Sequence, residues 1–197
     1  FERTNVQKLV REDYKYLPTR TKYFEEDMET SQAKLVIGLR TGVDYMDYER
    51  YYSLMLANSI FGGGPHSKLF NNVREKESIC YYASSNLEKT KGLMFISSGI
   101  DAENYDKAIC LIRKELEDTR QGRVSQLELD NAKKSLINSL KAMGDSIVSD
   151  VDFIYNQYIS GSKLTVEDVI GYVEKVDIPM IIESMKDVKE DTIFFLK

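Results

Sequence analysis

Three consecutive glycines and a proline at positions 62–65 interrupt the chain between two apolar segments. Upstream, apolar side chains occupy every side of residues 47–61, which predicts a deeply buried helix that ends at Gly62. Downstream, Ser67 can cap a short helix ending near Arg74, and the chain then turns into a strand. No Gly-Lys-Ser/Thr follows the glycines, so the break is interpreted as a helix stop and hinge rather than a phosphate loop.

Apolar periodicity divides the rest of the chain into strands and helices. Strands are predicted at 33–41, 79–87, 93–100 and 192–196. Helices are predicted at 103–120, from a Ser125–Glu128 capping box, along a stripe of Val148, Val151, Tyr155 and Tyr158, and from Thr165 and Asp177. The last strand has no neighbour in sequence and should return to the sheet formed by the other three. The pattern predicts an α+β fold, a mainly antiparallel sheet with helices packed on one face.

Residues 1–32 alternate charge with tyrosine and show no sustained apolar period. They are interpreted as a connector from an upstream domain, and residues 33–197 as the compact domain. The chain starts at Phe1 rather than methionine, which suggests a fragment or a processed product.

Composition argues against several classes of protein. A net charge of −5 without a long basic block argues against nucleic acid as a partner, and no apolar run approaches a membrane span. Cys80 and Cys110 lack metal-ligand spacing, which indicates reduced thiols in a cytoplasmic protein. A hydrolytic zinc site usually needs at least two nitrogen ligands and a carboxylate, and His66 is the only histidine. No metal site is therefore expected in this chain.

Arg74 and Tyr81 lie on either side of the predicted helix-to-strand turn and can converge above the sheet edge. Arginine offers five donors that suit a peptide carbonyl or carboxylate, and a neutral tyrosine can donate to an oxyanion. Tyr81 and Tyr82 should point to opposite faces of the hairpin, so only one can face a given site. The plainer interpretation is that Arg74 pairs with a nearby acid such as Glu75 or Glu77, that the tyrosine only packs, and that His66 faces solvent.

The run GGGPHSKLFNNVREKESICYY resembles a signature of the insulinase-like (pitrilysin, mitochondrial processing peptidase) zinc metallopeptidases. It is found in their second, non-zinc domain, where a Gly-rich turn precedes Ser-x-Leu-Phe-x-x-Val-Arg-Glu-x-x-x-x-x-Tyr. The resemblance implies a half-domain of the LuxS/processing-peptidase type that closes over an unfolded peptide opposite a zinc-bearing domain, in cis or in trans. Arg74 would clamp the substrate and Tyr81 would stabilise the oxyanion. The family's His-x-x-Glu-His cannot be built from this chain, so zinc is expected in the partner domain and the chain alone should be inactive.

One departure from the family pattern precedes the tyrosine, where Ser78-Ile79-Cys80 replaces the common Gly-Leu-Ala. Ser78 in place of glycine could tighten or redirect the turn. The variant is similar to a bacterial subgroup in which the two halves can be separate proteins. A catalytically inactive pseudo-peptidase, acting as partner subunit or assembly scaffold, is therefore the alternative function. A third hypothesis is an unrelated α+β binding module in which Arg74 and Tyr81 are structural.

Overall fold

The computed structural model describes residues 16–197 of the chain. The strands are β1 (Lys22–Glu26), β2 (Ala33–Arg40), β3 (Cys80–Glu88), β4 (Leu93–Ile100) and β5 (Lys189–Leu196). The α-helices are α1 (Tyr48–Phe61), α2 (Tyr105–Arg120), α3 (Gln126–Met143), α4 (Ile147–Ser160), α5 (Val166–Lys175) and α6 (Ile178–Met185). A π-helix, Leu69–Lys76, precedes β3, and a short 3₁₀ turn, Ala102–Asn104, precedes α2.

The strands form one sheet in the order β1-β5-β2-β4-β3, in which only the β1–β5 pair is parallel. Along β2, every second residue is buried (Ala33, Leu35, Ile37 and Leu39), whereas the residues between them are half-buried or exposed. The helices cover the buried face, with α1 deepest in the core. The predicted α+β fold, with helices on one face of a mainly antiparallel sheet, is therefore confirmed, and β5 does return to that sheet.

β1 was not predicted, because it lies within the segment interpreted as a connector. All five of its residues are exposed, so it carries none of the apolar alternation by which strands are recognised. It pairs with β5 through backbone hydrogen bonds, Phe24 lying opposite Phe194, and Lys197 N–H donates to Glu26 O at 3.0 Å. Residues 1–15 of the expected connector fall outside the described residues, and the domain boundary at residue 33 stays a prediction.

The prediction that Tyr81 and Tyr82 point to opposite faces is wrong. A β-bulge at the start of β3 shifts the pairing between Cys80, opposite Ile100, and Tyr82, opposite Gly99. Because a bulge inserts one extra residue, the alternation of side chains skips a step there. Both tyrosines are exposed as a result, while the flanking Cys80 and Ala83 are buried.

The predicted helix starts are confirmed by their caps. Reciprocal capping boxes join Ser125 to Glu128 and Thr165 to Asp168, and the Asp177 carboxylate accepts from Met180 N–H at 2.9 Å. The stripe along α4 does mark a helix, but its side chains face solvent rather than the core. Cys80 and Cys110 are both free thiols. None of the helices within residues 16–197 is long and apolar enough to cross a membrane.

Candidate functional site

The candidate site is built around the π-helix and the turn that follows it. The Ser67 hydroxyl accepts a hydrogen bond from Phe70 N–H at 3.3 Å, as expected of a cap. Leu69 and Val73 are completely buried and fix one side of the π-helix on the core. Arg74, one residue further, is then forced towards the surface, with 40% of its side chain exposed.

The turn between the π-helix and β3 depends on Ser78, which has φ 52° and is the only residue other than glycine with positive φ among the described residues. This left-handed conformation is the one that glycine adopts without steric cost. Ser78 therefore has the backbone conformation that glycine would adopt at this turn. That the serine tightens or redirects the turn stays a prediction.

Arg74 is held by two local contacts. Its Nη1 lies 3.5 Å from Glu75 Oε1, and its guanidinium carbon lies 4.7 Å from the centre of the Phe70 ring. The pairing with Glu75 is the one foreseen in the plainer interpretation of the sequence. Such a long, solvent-exposed ion pair contributes little energy, so a ligand carbonyl or carboxylate can compete for the guanidinium.

Tyr81 donates its hydroxyl proton to the Asp101 carboxylate at 3.0 Å, across the end of the β3–β4 hairpin. This hydrogen bond, together with the negative charge of Asp101, raises the pKa of Tyr81 above the usual value of a phenol. The hydroxyl is therefore neutral at any ordinary working pH and remains a hydrogen-bond donor.

A groove of about 340 Å³ lies beside Arg74, lined by Gly62, Gly63, Gly64, Phe70, Arg74, Tyr82, Ala83, Ser84, Ser85 and Asn86. A hydrogen bond joins the glycine turn to β3 along this groove, since Ser85 N–H donates to Gly62 O at 2.9 Å. Tyr82, rather than Tyr81, forms the wall of this groove next to Arg74. Sequence reasoning missed Tyr82, although the tandem tyrosines were a signal that a bulge could bring both to the surface.

Residues 16–197 do not fit a zinc ion. His66 is exposed and borders a small cavity of about 110 Å³ together with Glu128 and Asn131. Within residues 16–197, no group of three or more His, Cys, Asp or Glu side chains could hold a metal ion. No step of any reaction can therefore be assigned to a metal held by the described residues.

Several known proteins are similar to this chain in sequence. The family model of the "Peptidase M16 inactive domain" matches residues 1–136. The Bacillus subtilis protein "Probable inactive metalloprotease YmfF" is 36% identical over 88% of this chain and 40% of its own length. A second Bacillus subtilis protein, "Uncharacterized zinc protease YmxG", is 26% identical over 78% of this chain and 38% of its own length.

Solved structures show the same relation. A conserved protein from Enterococcus faecalis superposes with a TM-score of 0.87 at 36% identity, over 92% of this chain and 43% of that one. The peptidase M16 inactive domain from Pseudomonas fluorescens superposes with a TM-score of 0.77 at 22% identity, over 92% of this chain and 44% of that one. This chain therefore spans less than half the length of these relatives.

The family match covers more than half of the chain, and it coincides with a sheet and a glycine turn of the expected kind. The chain belongs to the M16 peptidase family, as its inactive domain.

Proposed function

We propose that the chain is the substrate-binding half of an insulinase-like zinc peptidase, closing over an unfolded peptide opposite a zinc-bearing domain. The observation that carries the proposal is the exposure of both Arg74 and Tyr81 at the two ends of one turn, where Arg74 also lines a groove walled by glycine backbone. Zinc would be held by the opposite domain, because the described residues of this chain do not fit it.

Arg74 suits the role of a substrate clamp. Its guanidinium borders the groove, and its contact with Glu75 is long and exposed, so that exchanging it for a substrate carbonyl costs little. The neighbouring strand β3 lies at the edge of the sheet, where an extended peptide can add itself through backbone hydrogen bonds. Gly64, where a Cβ atom would meet nothing within 4 Å, leaves room for that peptide to approach.

Tyr81 suits the role of an oxyanion donor, because it is exposed and its raised pKa keeps the hydroxyl protonated. Its proton is directed at Asp101 in this structure, so the hydroxyl must turn away from that carboxylate to reach a tetrahedral intermediate. Removing one oxyanion donor typically lowers turnover by roughly 10²-fold to 10³-fold.

The test uses the complete gene product together with the zinc-bearing domain, assayed on an unstructured fluorogenic peptide. Tyr81→Phe should lower kcat by roughly 10²-fold to 10³-fold with little change in KM. Tyr23→Phe is the matched control, since it removes a hydroxyl from a similarly exposed tyrosine on β1, at the opposite edge of the sheet, and should leave kcat within about twofold. Unchanged turnover in Tyr81→Phe would remove the catalytic role, and a loss confined to Tyr82→Phe would transfer it to the wall of the groove.

A second function, an inactive partner subunit or assembly scaffold, is favoured by a different observation. Both proposed catalytic side chains already contact acids of this same chain, Arg74 with Glu75 and Tyr81 with Asp101. The Bacillus subtilis relative at 36% identity is itself named an inactive metalloprotease.

Zinc content separates the two functions. Elemental analysis of the complete gene product, purified without other subunits, should find about one zinc per chain if the zinc-bearing domain is part of the same polypeptide. Absence of zinc, together with no peptidase activity after addition of a zinc-bearing M16 subunit, would favour the scaffold.

A further inference from the structure

Helix α4 is amphipathic, but its apolar face points away from the rest of the domain. Seven large apolar side chains on its outer face are between 55% and 84% exposed: Ile147, Val148, Val151, Ile154, Tyr155, Tyr158 and Ile159. The face turned towards the protein carries Ser149, Phe153, Gln157 and Ser160 instead, three of which are polar. A helix that only covered the core of an isolated domain would have the opposite arrangement.

The contacts of α4 with the rest of the domain are consistent with this inversion. A groove of about 650 Å³ lies between α4, α3, α1 and the tip of the β3–β4 hairpin. At the end of the helix, the Tyr45 hydroxyl donates to Ser160 O at 2.9 Å. The position of α4 is therefore set at its C-terminal end, while its apolar surface points outwards.

The outer face of α4 has the size and composition of an interface core. Soluble monomers rarely expose contiguous apolar patches beyond a few hundred Å². A stable interface removes about 800 Å² of surface from each partner, and seven large side chains that are more than half exposed amount to an area of that order. Aliphatic and aromatic residues dominate, and charge is depleted, as in the centres of permanent interfaces.

The nature of the occupant follows from the relatives and from charge. The matched proteins from Bacillus subtilis and Enterococcus faecalis devote only 40% and 43% of their length to the region shared with this chain. A second half joined in the same polypeptide would make a permanent, apolar contact. A membrane surface fits poorly, because α4 contains Asp150 and Asp152 and no lysine or arginine.

We propose that the outer face of α4 is the contact surface for the companion half of a two-domain polypeptide, an inference that rests on the proposed function only in taking this chain as one of two halves. The location agrees with an open substrate site. The α4 groove includes Leu87, at the far end of β3, and Thr90, in the hairpin turn, while Tyr81 lies near the beginning of β3. Nine residues of strand separate the two ends of β3 by roughly 25 Å. A half seated on α4 therefore leaves the Tyr81 end of β3 open.

The experiment compares Ile154→Lys with Leu127→Lys in the complete gene product, by thermal unfolding and by sedimentation. Ile154 is 66% exposed and Leu127, on α3, is 69% exposed, so this domain alone predicts no effect for either change. If α4 is covered, Ile154→Lys should lower Tm by roughly 5 °C or more, and Leu127→Lys by less than about 1 °C. Hydroxyl-radical labelling of Tyr158 should be at least tenfold slower than in the unfolded protein, with the molecule sedimenting as a monomer.

Three results would overturn the proposal. Equal and small shifts for the two lysine variants, or rapid labelling of Tyr158, would mean that α4 stays exposed. A dimer that Ile154→Lys dissociates would mean that a second copy of the chain occupies the surface. Peptidase activity is measured separately. If α4 is protected but the protein has no activity, the proposed interface holds and the proposed catalytic function fails. If the protein is active but α4 is unprotected, the catalytic function holds and the interface fails.

Discussion

Ser78 shows how a single residue can depart from a family pattern while the backbone keeps the shape that the pattern requires. Its φ of 52° lies in the left-handed region, where a side chain crowds its own backbone. Its hydroxyl donates to Glu75 O over a long distance of 3.4 Å, and this hydrogen bond returns little energy. The turn into β3, which sets the position of Tyr81, is therefore held at a local energetic cost.

We expect Ser78→Gly to stabilise the protein by about 1 kcal/mol, because glycine adopts this conformation without a clash. Ser78→Ala is the matched control, since it removes the same hydroxyl but keeps the Cβ atom, and it should give no gain. Urea unfolding followed by circular dichroism measures both. A gain in the alanine variant as large as that in the glycine variant would mean that the backbone is not the source of the cost.

At the same scale, Asp101 should control the titration of Tyr81. The hydrogen bond and the negative charge of Asp101 both raise the pKa of Tyr81, so Asp101→Asn should lower that pKa towards the ordinary phenol value. NMR of ring-labelled tyrosine between pH 8 and 12 measures the shift. Asp130→Asn on α3 serves as the charge control, and an equal shift in both variants would mean that general charge, rather than the contact, sets the pKa.

At the scale of elements, the glycine turn joins α1 to β3 by a close approach that only a residue without a side chain permits. A Cβ atom at Gly62 would lie 2.5 Å from Ser85 Oγ and 2.8 Å from Ser85 N. Because one of those atoms is backbone, the strand itself would have to move, and the hydrogen bond from Ser85 N–H to Gly62 O with it.

Gly62→Ala should therefore destabilise the protein by roughly 1–3 kcal/mol, the usual cost of overpacking. Gly64 is the matched control, because a Cβ atom there would meet nothing within 4 Å. Gly64→Ala should change the free energy of unfolding by less than about 0.5 kcal/mol. Thermal unfolding of the two variants measures the difference, and similar losses at both positions would contradict a steric cause.

The exposed tyrosine pair also belongs to the scale of elements. Alternation of side chains along a strand is a sound rule for an unbroken ladder, and it separates Tyr81 from Tyr82. The bulge at the start of β3 depends on how that strand meets β4, so the sequence of β3 alone does not contain it. The consequence is that two phenols rather than one are exposed at the start of β3.

At the scale of the whole molecule, tyrosines packed between helices make the folded state less stable at alkaline pH. Tyr52 is 7% exposed, and its ring stacks on Tyr172 with a centroid separation of 5.7 Å. Burial, followed by the neighbouring Tyr48 and Tyr172, raises the pKa of Tyr52 from 10.0 to about 12. Since the folded-state pKa is the higher one, its stabilising contribution is complete below pH 10 and is lost as pH rises towards 12.

We expect the free energy of unfolding to fall between pH 8 and pH 11, and Tyr52→Phe to reduce that fall by about 1 kcal/mol. Tyr23→Phe is the control, because Tyr23, on β1, is 62% exposed and lies outside the α4 surface. Urea unfolding at the two pH values measures the effect. An undiminished loss in Tyr52→Phe would assign the alkaline sensitivity to other groups.

The sequence by itself determined the elements whose signals are local. Periodicity and capping residues such as Ser125, Thr165 and Asp177 depend on neighbours within one or two turns, so the helices and the four alternating strands could be predicted, and the glycine motif indicated the family. The tertiary structure alone decided what depends on contacts between distant segments. β1 exists because β5 offers it an edge, and the bulge at Tyr81 exists because β3 must meet β4. The apolar face of α4 is exposed because the helix packs on the domain through its other side, which carries Phe153 and Gln157. The spacing of apolar residues predicts that α4 is a helix with one apolar face, but the packing of the whole domain decides whether that face is buried or exposed.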